Sequence, residues 1–275
     1  EIADRDWSSD VCSSDLGIGG IGLSAVAEIL ASRGCEVSGS DMKLSDVTSH
    51  LMSKGIKVYK GHDAENIKGA DLIVYSAAVS PENPELTAAE ASGITIATRA
   101  EALGAMMQDY PTSIAISGTH GKTTTTSMVS LILDSAETDP TILIGGNMPQ
   151  YNGNVKIGKS DYFVTEACEY MDSFLSLRPK IEIILNIDSD HLDYFKDIEH
   201  IVSSFEKFAA LIPSDGLIIA YDANPFVSGI IQNEELRDRV ITYGFSPHSD
   251  FYSANIKFDG SGYPAFDVYN KGNLL

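Results

Sequence analysis

The stretch Ser117-Gly118-Thr119-His120-Gly121-Lys122-Thr123-Thr124 constrains this chain more than any other. It follows the apolar run Ile114-Ala115-Ile116 and leads into a helical pattern from Lys122 to Asp134. Strand, glycine turn, Lys-Thr and helix together form the geometry that cradles a nucleoside triphosphate. The turn's N–H groups face the phosphates, the lysine neutralises charge and the first threonine hydroxyl reaches Mg²⁺. Gly118, Thr119, His120, Gly121, Lys122, Thr123 and Thr124 are therefore expected around ATP. The usual pattern has a glycine five residues before the Gly-Lys pair. Ile116 stands there, so this loop is shorter than the general signature. A threonine-rich helix cap would use Thr119 and Thr123, but leaves the strand before the loop and Lys122 without a role.

A nucleotide loop of this kind needs a parallel sheet behind it, and the rest of the chain supplies the pattern. Strand-like runs fall at Glu36–Gly39, Leu72–Ser76, Ile114–Ser117, Ile142–Ile144, Tyr162–Thr165, Ile181–Ile187, Leu217–Ala220 and Val240–Tyr243. Several are apolar on both faces, as in a sheet covered by helices. Helical patterns fall at Ile21–Arg33, Asp46–Lys54, Pro84–Ala91, Ala100–Gln108, Lys122–Asp134 and Ile198–Leu211. The alternation predicts a doubly wound α/β protein. Gln108–Thr112 breaks the pattern before the loop strand, so a boundary there gives two nucleotide-type domains, 17–108 and 109–275. After Asp250 the texture changes to short strands around Asp259-Gly260-Ser261-Gly262, a hairpin signal.

A second glycine turn, Gly17-Ile18-Gly19-Gly20-Ile21-Gly22, matches a phosphate-binding turn at a helix start, with Asp41 placed 19 residues beyond Gly22 for a ribose hydroxyl. By itself it fits an NAD-dependent oxidoreductase or a tight packing turn. The former leaves Lys122, Thr123, Glu166 and His191 without a role. The strand that should precede the turn is hard to see. Residues 1–16 contain Ser-Ser-Asp twice, and Asp15 sits where a buried central strand belongs. We therefore expect residues 1–16 to be a non-native leader that replaces the true first strand, the alternative being a degenerate or extended native N-terminus.

Carboxylates gather after two later strands. Glu166 and Glu169 follow Tyr162–Thr165. Asn186, Asp188, Asp190, His191 and Asp193 follow Ile181–Ile187. Ligands collect at the carboxyl ends of strands in open α/β sheets, and Mg²⁺ takes a few carboxylates plus water and phosphate. Glu166 is thus a candidate metal ligand, and His191 a candidate to bind metal or orient a reacting carboxylate. Cys168, His50, His62, His200, His248 and Trp7 suggest only structural roles.

Composition sets outer limits. The net charge of −20 argues against a non-specific nucleic-acid binder. At 43% hydrophobic residues over 275 positions the chain can bury a substantial core. No apolar run approaches the ~18 residues of a membrane span. Three cysteines without paired spacing fit a reducing compartment, the cytoplasm. Oligomeric state is not encoded in any pattern.

At four places the chain resembles the Mur ligases, the ATP-dependent amide-forming enzymes of peptidoglycan precursor synthesis. Gly118–Thr124 is similar to that family's short phosphate loop, and Gly17–Gly22 to the turn of its UDP-sugar-binding domain. Glu166–Leu175 and Asn186–Asp193 look like the branch that attaches the first amino acid. The resemblance implies a Rossmann-like domain followed by a P-loop ATPase domain. It implies that the lactyl carboxylate of UDP-N-acetylmuramate is activated by ATP and joined to L-alanine through an acyl phosphate. It gives Lys122, His191 and Glu166 catalytic roles, and Thr123, Glu166 and His191 to Mg²⁺. It gives Gly17, Gly19, Gly20, Gly22, Asp41 and Ser76 to the UDP-sugar. A recycling ligase that adds a tripeptide to the same UDP-sugar has nearly the same loop. A closing third domain and a later Asn-rich helix of the family do not occur in these 275 residues, so the expectation is an inactive chain that still binds nucleotides.

Overall fold

In the computed structural model, which describes residues 11–275, the apolar runs pair into two sheets flanked by helices. Backbone proximity divides the chain into two compact units. One holds the described residues up to Pro111, with Val129–Phe163 and Ser176–Arg178. The other holds Thr112–Met128, Val164–Leu175 and Pro179–Leu275.

The first sheet has five strands: β1 (Cys12–Leu16), β2 (Glu36–Asp41), β3 (Lys57–Lys60), β4 (Leu72–Tyr75) and β5 (Thr95–Thr98), in the order β3-β2-β1-β4-β5. Every neighbouring pair is parallel. The order reverses between β1 and β4, which opens a crevice at their carboxyl ends. The helices are α1 (Ile21–Ser32), α2 (Asp46–Ser53), α3 (Pro84–Ser92) and α4 (Arg99–Met107). Their ends follow local chemistry. Ser45 and Thr98 close capping boxes on α2 and α4, and α3 has Asn83 as N-cap, Pro84 at its start and left-handed Gly93 at its end. Leu16, Ile67, Ile73, Leu86 and Ala89 form a buried cluster.

The sequence pattern misses β1 altogether. Residues 1–10 of the expected leader lie outside the described residues, but Cys12–Leu16 is the central strand, hydrogen-bonded to both β2 and β4. The cause is visible in its burial: Ser13, Ser14 and Asp15 are all enclosed. Ser13 Oγ donates to Asp15 Oδ1 at 2.7 Å, while Asp15 Oδ2 and Ser14 Oγ have no partner. Burial pushes the Asp15 carboxyl up to about 7. Such a polar strand is invisible to a hydrophobic pattern.

The second sheet has ten strands: β6 (Thr112–Ser117), β7 (Thr141–Met148), β8 (Gly153–Lys156), β9 (Tyr162–Ala167), β10 (Ile181–Ile184), β11 (Leu217–Tyr221), β12 (Val240–Gly244), β13 (Phe251–Phe258), β14 (Pro264–Asn270) and β15 (Asn273–Leu274). Their order is β15-β14-β13-β12-β11-β10-β6-β9-β7-β8. Strands β6, β10, β11, β12 and β13 run parallel, whereas β13–β14 and β14–β15 are antiparallel. Helices α5 (Lys122–Ser135), α6 (Ile198–Ala209) and α7 (Pro225–Ile231) complete the set. On α6 the buried residues Ile201, Ser204, Phe205, Phe208 and Ala209 recur at helical spacing. Phe174 stacks on Phe208 at 4.5 Å and meets Phe205 edge-on at 5.2 Å. Each such ring contributes roughly 1.5–3 kcal/mol through burial.

The predicted strand Ile181–Ile187 ends early, at Ile184. Its last three residues leave the sheet to brace the glycine loop.

Candidate functional site

Loop 118–121 joins β6 to α5, and its backbone demands glycine. Gly118 has φ +136° and Gly121 φ +90°. A Cβ at Gly118 would lie 2.9 Å from Leu185 Cβ and 3.1 Å from Asn186 N. The segment after β10 holds the loop from behind. Thr119 N donates to Asn186 O (3.0 Å), and His120 N to Asn186 Oδ1 (2.9 Å). Asn186 Nδ2 donates back to His120 O (2.9 Å), and Asp188 N donates to Thr119 Oγ1 (2.9 Å). The amides of Thr119 and His120 are therefore turned to Asn186 rather than into the concavity, contrary to the simplest picture of a cradle. The concavity itself, about 260 Å³, is lined by Thr119, His120, Gly121, Lys122, Thr123 and Thr124.

Lys122 Nζ is held at 2.6 Å by Gly118 O, and at 2.8 and 3.2 Å by the two oxygens of the buried Glu169. Thr123 Oγ1 donates to Glu166 Oε2 at 3.0 Å. A hydroxyl and a carboxylate side by side are hard oxygen donors, the kind Mg²⁺ takes along with water and phosphate. The donor set therefore fits the ion. His191 is placed differently. It sits at φ +51°, with its ring 4.8 Å from that of Tyr170, whose hydroxyl donates to Asp193 Oδ2 at 2.8 Å. Among the described residues no three His, Cys, Asp or Glu side chains converge on one point. Thr123 and Glu166 are thus brought together, while the His191 ring packs on Tyr170.

Beneath the loop lies a residue that no sequence motif marks. Glu182 on β10 is fully enclosed, and burial pushes its carboxyl up to about 8. Ser117 Oγ lies 3.3 Å from Glu182 Oε1 and 3.1 Å from Ile183 O. Ser117 has one proton to donate, so a protonated Glu182 donating to Ser117, which donates to Ile183 O, satisfies the chain of contacts. Glu182 Oε2 has no partner.

The other glycine turn follows β1. Gly17 has φ +80°, and Gly20 N donates to Gly17 O at 3.0 Å. Gly20 caps α1 with no side-chain hydrogen bond, which suits an anion at the helix start. Asp41 Oδ2 accepts from Gly19 N at 3.0 Å, and Oδ1 accepts from Lys43 N at 3.0 Å. A cleft of about 600 Å³ is lined by residues that include Gly17, Gly20, Asp41, Ser76 and His62. Gly19 and Gly22 lie outside that lining. Gly19 packs against Asp41, and Gly22 against the Arg99 side chain. His62, to which sequence gave no role, belongs to the cleft.

Two family profiles account for both halves. Residues 14–111 match the Mur ligase family, catalytic domain, and residues 116–274 the Mur ligase middle domain. The chain belongs to the Mur ligase family. It is 52% identical over 260 residues to the UDP-N-acetylmuramate–L-alanine ligase of Alkaliphilus metalliredigens, covering 94% of this chain and 56% of that one. It is 53% identical to the same-named protein of Clostridium tetani, with the same coverage. This Mur ligase chain thus spans about half the length of the curated relatives it matches. Its fold is similar to the UDP-N-acetylmuramate-alanine ligase of Thermotoga maritima, with TM-score 0.78 and 28% identity, covering 96% of this chain and 59% of that one. It is also similar to the UDP-N-acetylmuramate:L-alanyl-gamma-D-glutamyl-meso-diaminopimelate ligase of Neisseria meningitides, with TM-score 0.82 and 26% identity, covering 96% and 85%.

Proposed function

We propose that this chain is the nucleotide-handling part of a ligase that joins L-alanine to UDP-N-acetylmuramate in the cytoplasm. In this assignment residues 17–108 form a Rossmann-like domain for the UDP-sugar, and 109–275 a P-loop ATPase domain. The single observation that carries it is the Lys122–Glu169 and Thr123–Glu166 arrangement at the mouth of a glycine loop. Identity of about half to L-alanine ligases supports the choice of amino acid over a tripeptide.

The lactyl carboxylate attacks the γ-phosphorus of ATP and ADP leaves, which gives an acyl phosphate. The L-alanine amine then attacks the acyl carbon and phosphate leaves. Lys122 exchanges Glu169 for the transferring phosphoryl group and neutralises charge that builds there. Thr123 and Glu166 would hold Mg²⁺, which supplies further charge neutralisation at the phosphates. His191, with its ring against Tyr170, helps orient the carboxylate. Gly17 and Gly20 offer backbone to the diphosphate, Asp41 faces the ribose, and Ser76 lines the same cleft.

Calorimetry with the 275-residue chain tests this. Lys122→Ala is expected to weaken ATP binding by roughly 10- to 100-fold, in line with loss of a hydrogen bond to a charged group, and to leave UDP-N-acetylmuramate binding unchanged. ATP binding equal to wild type in Lys122→Ala would sink the assignment.

A further inference from the structure

Glu85, at the start of α3, is wholly buried yet touches no part of the ligation chemistry. Its Oε2 accepts from Ser40 Oγ at 2.6 Å and lies 2.9 Å from His62 Nδ1. Its Oε1 accepts from Asn66 Nδ2 at 2.6 Å. Ser40 Oγ also lies 2.9 Å from His62 Nδ1. Ser40 has a single proton, and the short contact directs it to Glu85. Both oxygens beside Nδ1 are then acceptors, so Nδ1 must carry hydrogen. With that single proton on the ring, Nε2 keeps a lone pair.

The strand order says where that lone pair faces. Gly17 and Gly20 follow β1, Asp41 ends β2, and His62 follows β3. The three lie in sequence along one edge of the cleft, with strands ~4.8 Å apart. Under the UDP-sugar assignment that span would take diphosphate, ribose and base in turn. His62 lines the cleft, and 16% of its side chain remains exposed. The Nδ1 edge is turned inward to Glu85, so the exposed part is the opposite, Nε2 edge.

We propose that His62 Nε2 reads the nucleobase by accepting the N3–H of uracil, and that Glu85 is the positioning residue that keeps this nitrogen an acceptor. Cytosine offers a lone pair at N3 instead of a proton, so two acceptors would meet. A site with a buried polar group left unpaired rejects the wrong ligand. The inference rests on the UDP-sugar assignment of this cleft and adds to it the group that chooses the base.

Calorimetry with the 275-residue chain and UDP, CDP and N3-methyl-UDP separates the two levels. UDP is expected to bind about tenfold or more tighter than either analogue, the effect of one lost hydrogen bond with an unpaired partner. Absence of UDP binding would overturn the cleft assignment itself. Equal binding of all three would overturn only the role of His62. In Glu85→Gln an amide can donate to Nδ1 and release the other tautomer. The UDP-to-CDP preference is then expected to fall about tenfold, with UDP weakened most. Equal weakening of both nucleotides would assign Glu85 a merely structural role. The ¹⁵N spectrum of wild-type His62 gives an independent check, even if Glu85→Gln fails to fold: an Nδ1–H tautomer is expected, and either an Nε2–H tautomer or a ring protonated on both nitrogens would overturn the proposal.

Discussion

The two glycine turns are built alike and set differently. Gly17–Gly22 opens onto a helix start with no side-chain cap; backbone bonds from Gly17 N and Ile18 N to Ser40 O tie down its first residues, and Gly19 N donates to Asp41. Gly118–Gly121 is stapled on both sides, by Asn186 and Asp188 behind it and by Lys122 to Glu169 in front. An open turn suits a ligand that stays bound through the reaction, held by backbone and helix end. A braced turn with a cation in store suits a ligand whose phosphate is transferred, because charge must be supplied at a fixed place. Each turn also has a buried, half-satisfied acid near its root, Asp15 for the first and Glu182 for the second.

Those acids give the largest expected effect. The folded carboxyls of Glu182 and Asp15 sit at about 8 and about 7, above ordinary values of 4.5 and 3.8. The folded state therefore binds more protons than the unfolded chain between those limits, and stability falls as pH rises through them. At ~1.4 kcal/mol per pH unit each group withdraws on the order of 4 kcal/mol. Below pH ~4 the effect is absent, and above pH ~8 it is complete. Glu182→Gln keeps a donor for Ser117 and removes the titration. Urea unfolding should show it more stable than wild type at pH 8.5 and about equal at pH 4.5. An unchanged pH slope would break the comparison on that side. Asp15→Asn should do the same for the first turn, with its window ending about one pH unit lower.

Backbone strain comes next. Gly118→Ala places a Cβ 2.9 Å from Leu185 at a positive φ, so a loss of about 2–3 kcal/mol is expected, with ATP affinity falling as the loop shifts. Gly20→Ala is the control in the open turn. Its φ is −74° and its nearest contact 3.3 Å, so thermal unfolding should register less than about 1 kcal/mol. Equal losses at the two positions would erase the distinction between a braced and an open turn. The smallest effect is expected from Asp41→Ala, which removes the acceptor of Gly19 N and should cost ~1 kcal/mol or less of stability.

Much of this was legible in one dimension. The pairing of Gly118–Thr123 with a following helix predicts α5 from Lys122, and apolar runs mark the cores of β2, β4, β6, β9, β10, β11 and β12. Edge strands β3 and β8 are short and half-polar, so no period distinguishes them from loops. Glu166 beside Thr123 was readable because both follow strand ends. Glu169 as the partner of Lys122, 47 residues away, was not.

The sequence alone determined the α/β alternation, the glycine turns and the residue types that meet phosphate, since these follow from local periodicity and from backbone conformations that glycine adopts. Only the tertiary structure decided that Asp15 would be enclosed in a central strand, that Glu182 would lie under the phosphate loop, and that Glu85 would fix the proton of His62. Each of those depends on which strand or helix becomes a neighbour. A carboxylate's partners, and therefore its charge and its use, are set by neighbours that are distant in sequence.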